Sequence, residues 1–266
     1  GSLLVDLSRE GRFFFSGADQ ITPLAFAMVF TTVVLHGFTI GPLSRALGLA
    51  RKEKPGILVV GANAWSVEFA KALNASGIEV IVADSSYRRL RTSRESGLDI
   101  FMGEVLSEDA EIKLDHSRFS TVIALSTNDS YNALVCSHFA PEVGRHMVFQ
   151  LSLSEGEEAD ERGLSSNARG RTLIKRGRTY DSLIRDQYRG WAFARTKLTE
   201  QYTLEQFYAD RPKADIIAEI RPDGSLALIG PNREPRGGDG AVLISYAPER
   251  ADEAASSARA GVPVIE

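Results

Sequence analysis

The stretch from Gly56 to Asp84 constrains this chain most. Ile57 to Val60 is a continuous apolar run, the pattern of a strand buried on both faces. Gly61 ends it in a tight turn. Phe69, Ala70 and Leu73 recur at helical spacing, and Gly77 stops that helix. A second strand-like stretch, Ile78 to Ala83, apolar but for Glu79, then ends in the carboxylate of Asp84. Strand, glycine turn, helix, strand and terminal acid are the layout of a dinucleotide-binding βαβ unit, in which the acid reads a ribose. The turn departs from the full glycine fingerprint: it has Gly61, but Asn63 and Ser66 where two further glycines are usual. Asn tolerates a left-handed backbone and Ser is small, so the turn survives; the Asn63 side chain nevertheless stands where a phosphate would sit.

Alternation continues from Gly56 to Leu151. Strands are predicted at 57–60, 80–83, 100–102, 122–126 and 147–151, with helices near 65–74, 86–96, 107–114 and 129–140. Short apolar strands alternating with helices predict an α/β, Rossmann-like parallel sheet covered on both faces. Right-handed crossovers give the order 3-2-1-4-5, with a crevice at the carboxyl ends of strands one and four. Candidate ligand contacts follow from those ends: Gly61, Asn63, Ala64 and Trp65 after strand one, Asp84 and Ser85 after two, Gly103 and Glu104 after three, Ser126 and Asn128 after four. Asp84 has a second reading as a helix N-cap, and Asn128-Asp129 caps the fourth helix. Arg88, Arg89, Arg91 and Arg94 read as a solvated helix face.

Between Asp19 and Arg45 there is no Asp, Glu, Lys or Arg. The run Ile21 to Leu43 would reach roughly 35 Å as a helix, enough to cross a bilayer core. Arg45, Arg51, Lys52 and Lys54 follow it, which by the positive-inside rule places residues after about 50 in the cytoplasm. Its only polar groups are threonines and His36, so a helix buried in a soluble core is the weaker reading. His36 reads as a packing or interfacial residue, with an intramembrane titrating role as the alternative.

The remaining organisation follows from composition. Residues 1–19 form a mixed loop outside the membrane, 20–49 the span, 50–55 a charged linker and 56–151 the parallel domain. Residues 152–170 are an acidic, Ser-rich linker. Residues 171–249 form a small antiparallel α+β module, marked by the Arg221-Pro222-Asp223-Gly224 hairpin turn and the capping box at Thr203–Gln206. The Ala/Ser-rich tail, 250–266, reads as disordered. A net charge of −4 argues against nucleic acid as a partner. The single cysteine, Cys136, excludes an intrachain disulfide and reads as a core filler, and the four histidines lack metal-ligand spacing.

These residues resemble the C-terminal part of a bacterial monovalent cation:proton antiporter of the NhaP-like sodium/hydrogen exchanger family. Val33 to Leu43, followed by Arg45-Ala46-Leu47-Gly48-Leu49, resembles the end of that family's last membrane helix. Residues 56–151 resemble the TrkA-N domain, a regulator of potassium conductance (RCK) fold, with Gly61, Asp84, Gly103 and Thr127-Asn128-Asp129 on its recurrent positions. The resemblance implies a nucleotide-sensing regulatory region on the inner membrane of a multi-pass transporter. NAD(H) or an adenine nucleotide would be its ligand, and membrane lipid, the upstream transmembrane region and a second copy its partners. It implies no enzyme: there is no Tyr-x-x-x-Lys pair and no histidine at a strand end. The alternatives are a ligand-free dimerisation platform of the same transporter and an NAD(P)-dependent oxidoreductase.

Overall fold

The computed structural model describes residues 21–46, 56–151, 169–175 and 177–249. The expected loop 1–19, the linker 50–55, nearly all of the linker 152–170 and the tail 250–266 lie outside the described residues. The chain divides into two compact units, Gly1–Glu53 and Lys54–Glu266.

In the first unit a single helix, α1, spans Ile21–Ala46. Its segment Ile21–Leu43 is long and apolar enough to cross a membrane, and none of it is buried within the protein. Leu24, Phe26, Met28, Phe30 and Phe38 are each at least 70% exposed. Three of its polar side chains lie against carbonyls of their own helix, whereas Thr22 Oγ1 has no partner. Thr32 Oγ1 donates to the Met28 carbonyl at 2.7 Å, Thr39 Oγ1 to that of Leu35 at 2.5 Å, and the His36 ring lies 2.7 Å from the Thr32 carbonyl. Polar groups satisfied within the segment are what a hydrocarbon environment demands.

The second unit begins with β1 (Ile57–Val60) and α2 (Ala64–Asn74), then β2 (Val80–Asp84) and α3 (Tyr87–Glu95), β3 (Asp99–Met102) and α4 (Glu108–Lys113). It continues with β4 (Thr121–Ala124), α5 (Asp129–Val143), β5 (Val148–Gln150) and β6 (Arg171–Thr172). All six strands form one parallel sheet in the order β3-β2-β1-β4-β5-β6, which extends the expected 3-2-1-4-5 by one short strand. The central strands β1, β2 and β4 are buried at every position, because helices cover both faces. Cys136 fills the core on the α5 face, as its composition argues.

Beyond β6 come α6 (Tyr180–Tyr188), β7 (Trp191–Lys197), α7 (Leu204–Asp210), β8 (Asp215–Ile220), β9 (Leu226–Leu228) and β10 (Val242–Pro248). The four strands make an antiparallel sheet ordered β7-β10-β8-β9. The Thr203 capping box closes as expected on Gln206. One hydrophobic core runs through both sheets. Trp65 and Phe69 on α2 meet Phe193 of β7 at ring separations of 5.1 and 5.5 Å, and Trp65 lies 6.0 Å from Tyr246 of β10. The Arg195 guanidinium donates to the Ala75 carbonyl, and the Tyr246 hydroxyl to the Leu183 carbonyl at 2.9 Å. The antiparallel sheet is therefore packed onto the helix that starts at the glycine turn.

Candidate functional site

The β1–α2 turn is tight because two strand ends nearly touch. Gly61 has φ +102°, and a Cβ there would stand 2.7 Å from the Ser126 amide nitrogen. Only glycine combines that conformation with that approach. Asn63 caps α2 with a reciprocal pair: its Oδ1 accepts from the Ser66 amide at 2.9 Å, and its own amide donates to Ser66 Oγ at 2.9 Å. Asn63 Nδ2 donates to the Leu125 carbonyl at 2.6 Å, tying the turn to the end of β4. Ser66 Oγ donates in turn to the Gly61 carbonyl at 2.6 Å. Of the first-turn amides of α2, this leaves those of Ala64 and Trp65 without a cap.

Asp84 ends β2 with its side chain 6% exposed. Its Oδ2 accepts from the Ala62 amide at 2.9 Å, and its Oδ1 from the Ser86 amide at 2.8 Å and from Arg89 Nε at 3.0 Å. A carboxylate offers about four lone-pair sites. One on Oδ2 remains to accept a hydroxyl from a ligand. The N-cap alternative for Asp84 does not hold: Ser86 occupies the N-cap of α3, and Asp84 accepts from the Ser86 amide in the turn before the helix.

The opposite wall comes from β4, α5 and β3. Asn132, 2% exposed, closes a two-way bond with Ser126: its Oδ1 accepts from the amide and its Nδ2 donates to the carbonyl, both at 2.9 Å. Asn128 caps α5 through Oδ1 to the Tyr131 amide at 3.0 Å, as its position predicts. The Tyr131 hydroxyl donates to Glu104. Burial first, and then this carboxylate, holds the Tyr131 phenol well above its ordinary pKa. Tyr180 reaches the same place from α6, its phenol also raised, chiefly by burial. Together these groups surround a cleft of about 350 Å³ at the carboxyl ends of β1 and β4. That lies within the roughly 300–1,000 Å³ of small-molecule sites.

Eight of the ten expected contacts line this cleft: Gly61, Asn63, Asp84, Ser85, Gly103, Glu104, Ser126 and Asn128. Ala64 and Trp65 do not. Ala64 is exposed at the first position of α2. Trp65 is a correction: it is 1% exposed and points into the core shared with Phe193 and Tyr246. The helical turn rotates the second residue of α2 away from the cleft, so that only its backbone amide stays near the turn. Arg89 stays on the solvated face of α3, its side chain 54% exposed, and from there also pairs with Asp84, Nη2 to Oδ1 at 2.9 Å. Its place five residues after Asp84, one helical turn into α3, is a signal the sequence does carry. Tyr131 and Tyr180 carry no local signal of this kind. Among the described residues no group of His, Cys, Asp and Glu could hold a metal ion.

The cleft can hold a ribose hydroxyl on Asp84 and lay an aromatic ring beside Tyr131 or Tyr180, with the uncapped amides of Ala64 and Trp65 following its Asn63 wall at the start of α2. No curated protein matches the chain. Among solved structures it is similar to the GsuK channel bound to NAD, at 15% identity and a TM-score of 0.38 over 77% of this chain and 38% of that one. It is also similar to the NAD(P)-binding domain of an exopolyphosphatase-related protein from Archaeoglobus fulgidus, at 19% identity and a TM-score of 0.38 over 52% and 98% of the two chains. A third similarity is to the TrkA-N domain of the inner membrane protein ybaL from Escherichia coli, at 16% identity and a TM-score of 0.34 over 40% and 77%. The chain thus spans 38% of the length of the GsuK channel chain. Residues 57–150, from the first strand of the parallel sheet to the end of β5, match the family model of the TrkA-N domain.

Proposed function

We propose that the TrkA-N domain is the nucleotide-sensing regulatory region of a monovalent cation:proton antiporter, with α1 as the last of its membrane helices. The observation that carries the sensing role is Asp84, which faces the cleft with one acceptor site open, across from the first turn of α2. The ligand is NAD(H) or an adenine nucleotide: ribose on Asp84, phosphate toward the amides of Ala64 and Trp65. The antiporter assignment is supported by the order of an apolar span, a short basic segment and this domain, and by the resemblance of residues 33–49 to the last helix of that family. In this reading the domain is a sensor and not a catalyst. It sits on the cytoplasmic side of the inner membrane, pairs with a second copy, and acts on transmembrane helices upstream of residue 1. A coupling of about 1–3 kcal/mol between cleft and span is enough to regulate transport.

The test is thermal unfolding of the detergent-solubilised chain with NAD⁺, NADH, ATP and ADP. A ligand at a hundred times its Kd stabilises by about 2.7 kcal/mol, and Asp84→Ala is expected to remove that gain. A second reading has its own support. The amides of Ala62, Asn63 and Ser66 are already bonded to side chains of the chain itself. A turn satisfied in this way suits a dimerisation platform that has lost its ligand. A dimer whose melting temperature no nucleotide moves would favour that platform over the sensor.

A further inference from the structure

Four arginines lie on segments that backbone contacts draw together at one end of the antiparallel sheet. Arg221 follows β8 at the hairpin, where its amide donates to the Ser225 carbonyl at 2.9 Å. The chain leaving β9 is drawn against β6: the Ile174 amide donates to the Ile229 carbonyl at 2.9 Å, and a Cβ on Gly230 would stand 2.4 Å from the Thr172 carbonyl oxygen. That contact brings Arg171 beside the loop from Gly230 to Gly237. Arg233 is held in the loop by a bridge to Gly230, its amide donating to the Gly230 carbonyl at 3.1 Å. Arg236 follows, where the amides of Arg236 and Gly237 donate to Glu219 at 3.1 and 2.7 Å.

Glu219 is 1% exposed, and both its oxygens are engaged by those loop amides. Among the described residues no carboxylate forms an ion pair with Arg171, Arg221, Arg233 or Arg236. Arg221 Nε is buried and has no hydrogen-bond partner. Arg171 is only partly satisfied, by the His146 carbonyl at 3.3 Å and the face of Phe149 at 5.3 Å. Arg233 is held below its ordinary pKa by burial first and then by Arg221, Arg171 and Arg236, against which Glu219 alone acts. Elsewhere the same module pairs its buried charges closely: Arg178 lies 2.6 Å from Asp186 and 2.8 Å from Asp215.

Like charges gathered around a half-buried arginine, with a buried N–H left over, form an arrangement that an anion would complete. Planar guanidinium forks match phosphate oxygens in particular. We propose that Arg171, Arg221, Arg233 and Arg236 form a binding site for a phosphate group, either of a free phosphorylated anion or of a lipid headgroup. None of these residues lines the nucleotide cleft, so the proposal does not depend on what the cleft binds.

The test is isothermal titration of the full 266-residue chain in neutral detergent, with ionic strength held constant by sodium chloride. Inorganic pyrophosphate and dihexanoyl phosphatidic acid are the two probes. Saturable binding of either is expected. Tighter pyrophosphate names the free anion as the source, and tighter phosphatidic acid the headgroup. Arg233→Gln is expected to weaken binding at least tenfold and Arg236→Gln severalfold. Arg236 has an exposed side chain and holds Glu219 only through its backbone, so R236Q keeps the test valid if R233Q unfolds. Arg88→Gln, an exposed arginine of α3, is expected to change nothing. No binding beyond a matched chloride titration, or equal affinity in wild type, R233Q and R236Q, overturns the proposal.

Discussion

The cleft and the arginine cluster treat charge in opposite ways. In the cleft nearly every group meets another group of the same chain: Asp84 meets Arg89 and two amides, Asn63 meets Ser66 and Leu125, and Glu104 meets Tyr131. In the cluster four guanidiniums share a neighbourhood, none of them in an ion pair among the described residues, and the buried carboxylate of Glu219 is turned to the backbone. A satisfied site makes a ligand compete with internal bonds, so its selectivity comes from what the ligand displaces. An unsatisfied site carries its repulsion in the free state, and a ligand removes it. The two regions therefore ought to respond differently to loss of a side chain.

The largest expected effect tests whether the cleft's internal bonding rests on one backbone approach. Gly61→Ala puts a Cβ within 3 Å of the Ser126 backbone at φ +102°. Positive-φ strain and the overlap together are expected to cost roughly 3–5 kcal/mol, read as a fall in the urea midpoint. A loss under about 1 kcal/mol would mean that β1 and β4 can part without harm, and the contrast with the cluster would lose its geometric basis.

Asn63 provides the next step. Asn63→Ala removes the α2 cap and the bond to Leu125, at an expected cost of about 1 kcal/mol. Asn63→Gly costs less, because glycine is itself accepted at the cap, and it frees the Ser66 amide. If a ligand competes with the internal cap, N63G binds NAD⁺ or ATP more tightly than wild type while being slightly less stable. Affinity that falls in N63G would show that Asn63 contacts the ligand instead of displacing it.

How far these regions could be read in advance depended on the range of the interactions that build them. β1, β2 and β4 are legible because burial on both faces writes itself as unbroken apolar runs. The cleft position follows from strand order alone. β6 is not legible: it has two residues, Arg171 and Thr172, and neither carries a strand pattern. Trp65 reads as a turn residue because it follows Gly61 closely; its burial depends on Phe193 and Tyr246, more than a hundred positions away. Tyr180 reaches the cleft through the packing of α6, which no local spacing announces. The arginine cluster is invisible for the same reason, since Arg171 joins it only through β6.

The smallest expected effect is the most direct comparison, because it predicts opposite signs for one chemical change. Arg89 and Arg233 are each replaced by glutamine in the chain without added ligand. Arg89 is half exposed, so its pair with Asp84 is screened, and its loss is expected to destabilise by a few tenths of a kcal/mol. Loss of Arg233 relieves repulsion from three neighbours and is expected to be neutral or stabilising by a similar amount. Both effects should shrink as salt rises, since about 0.15 M ions screen charges beyond roughly 8 Å. Parallel urea titrations at low and high salt measure the pair. Two destabilising variants would mean that Arg233 has a structural partner in the free protein, and the distinction between a site closed on itself and one left open would fail.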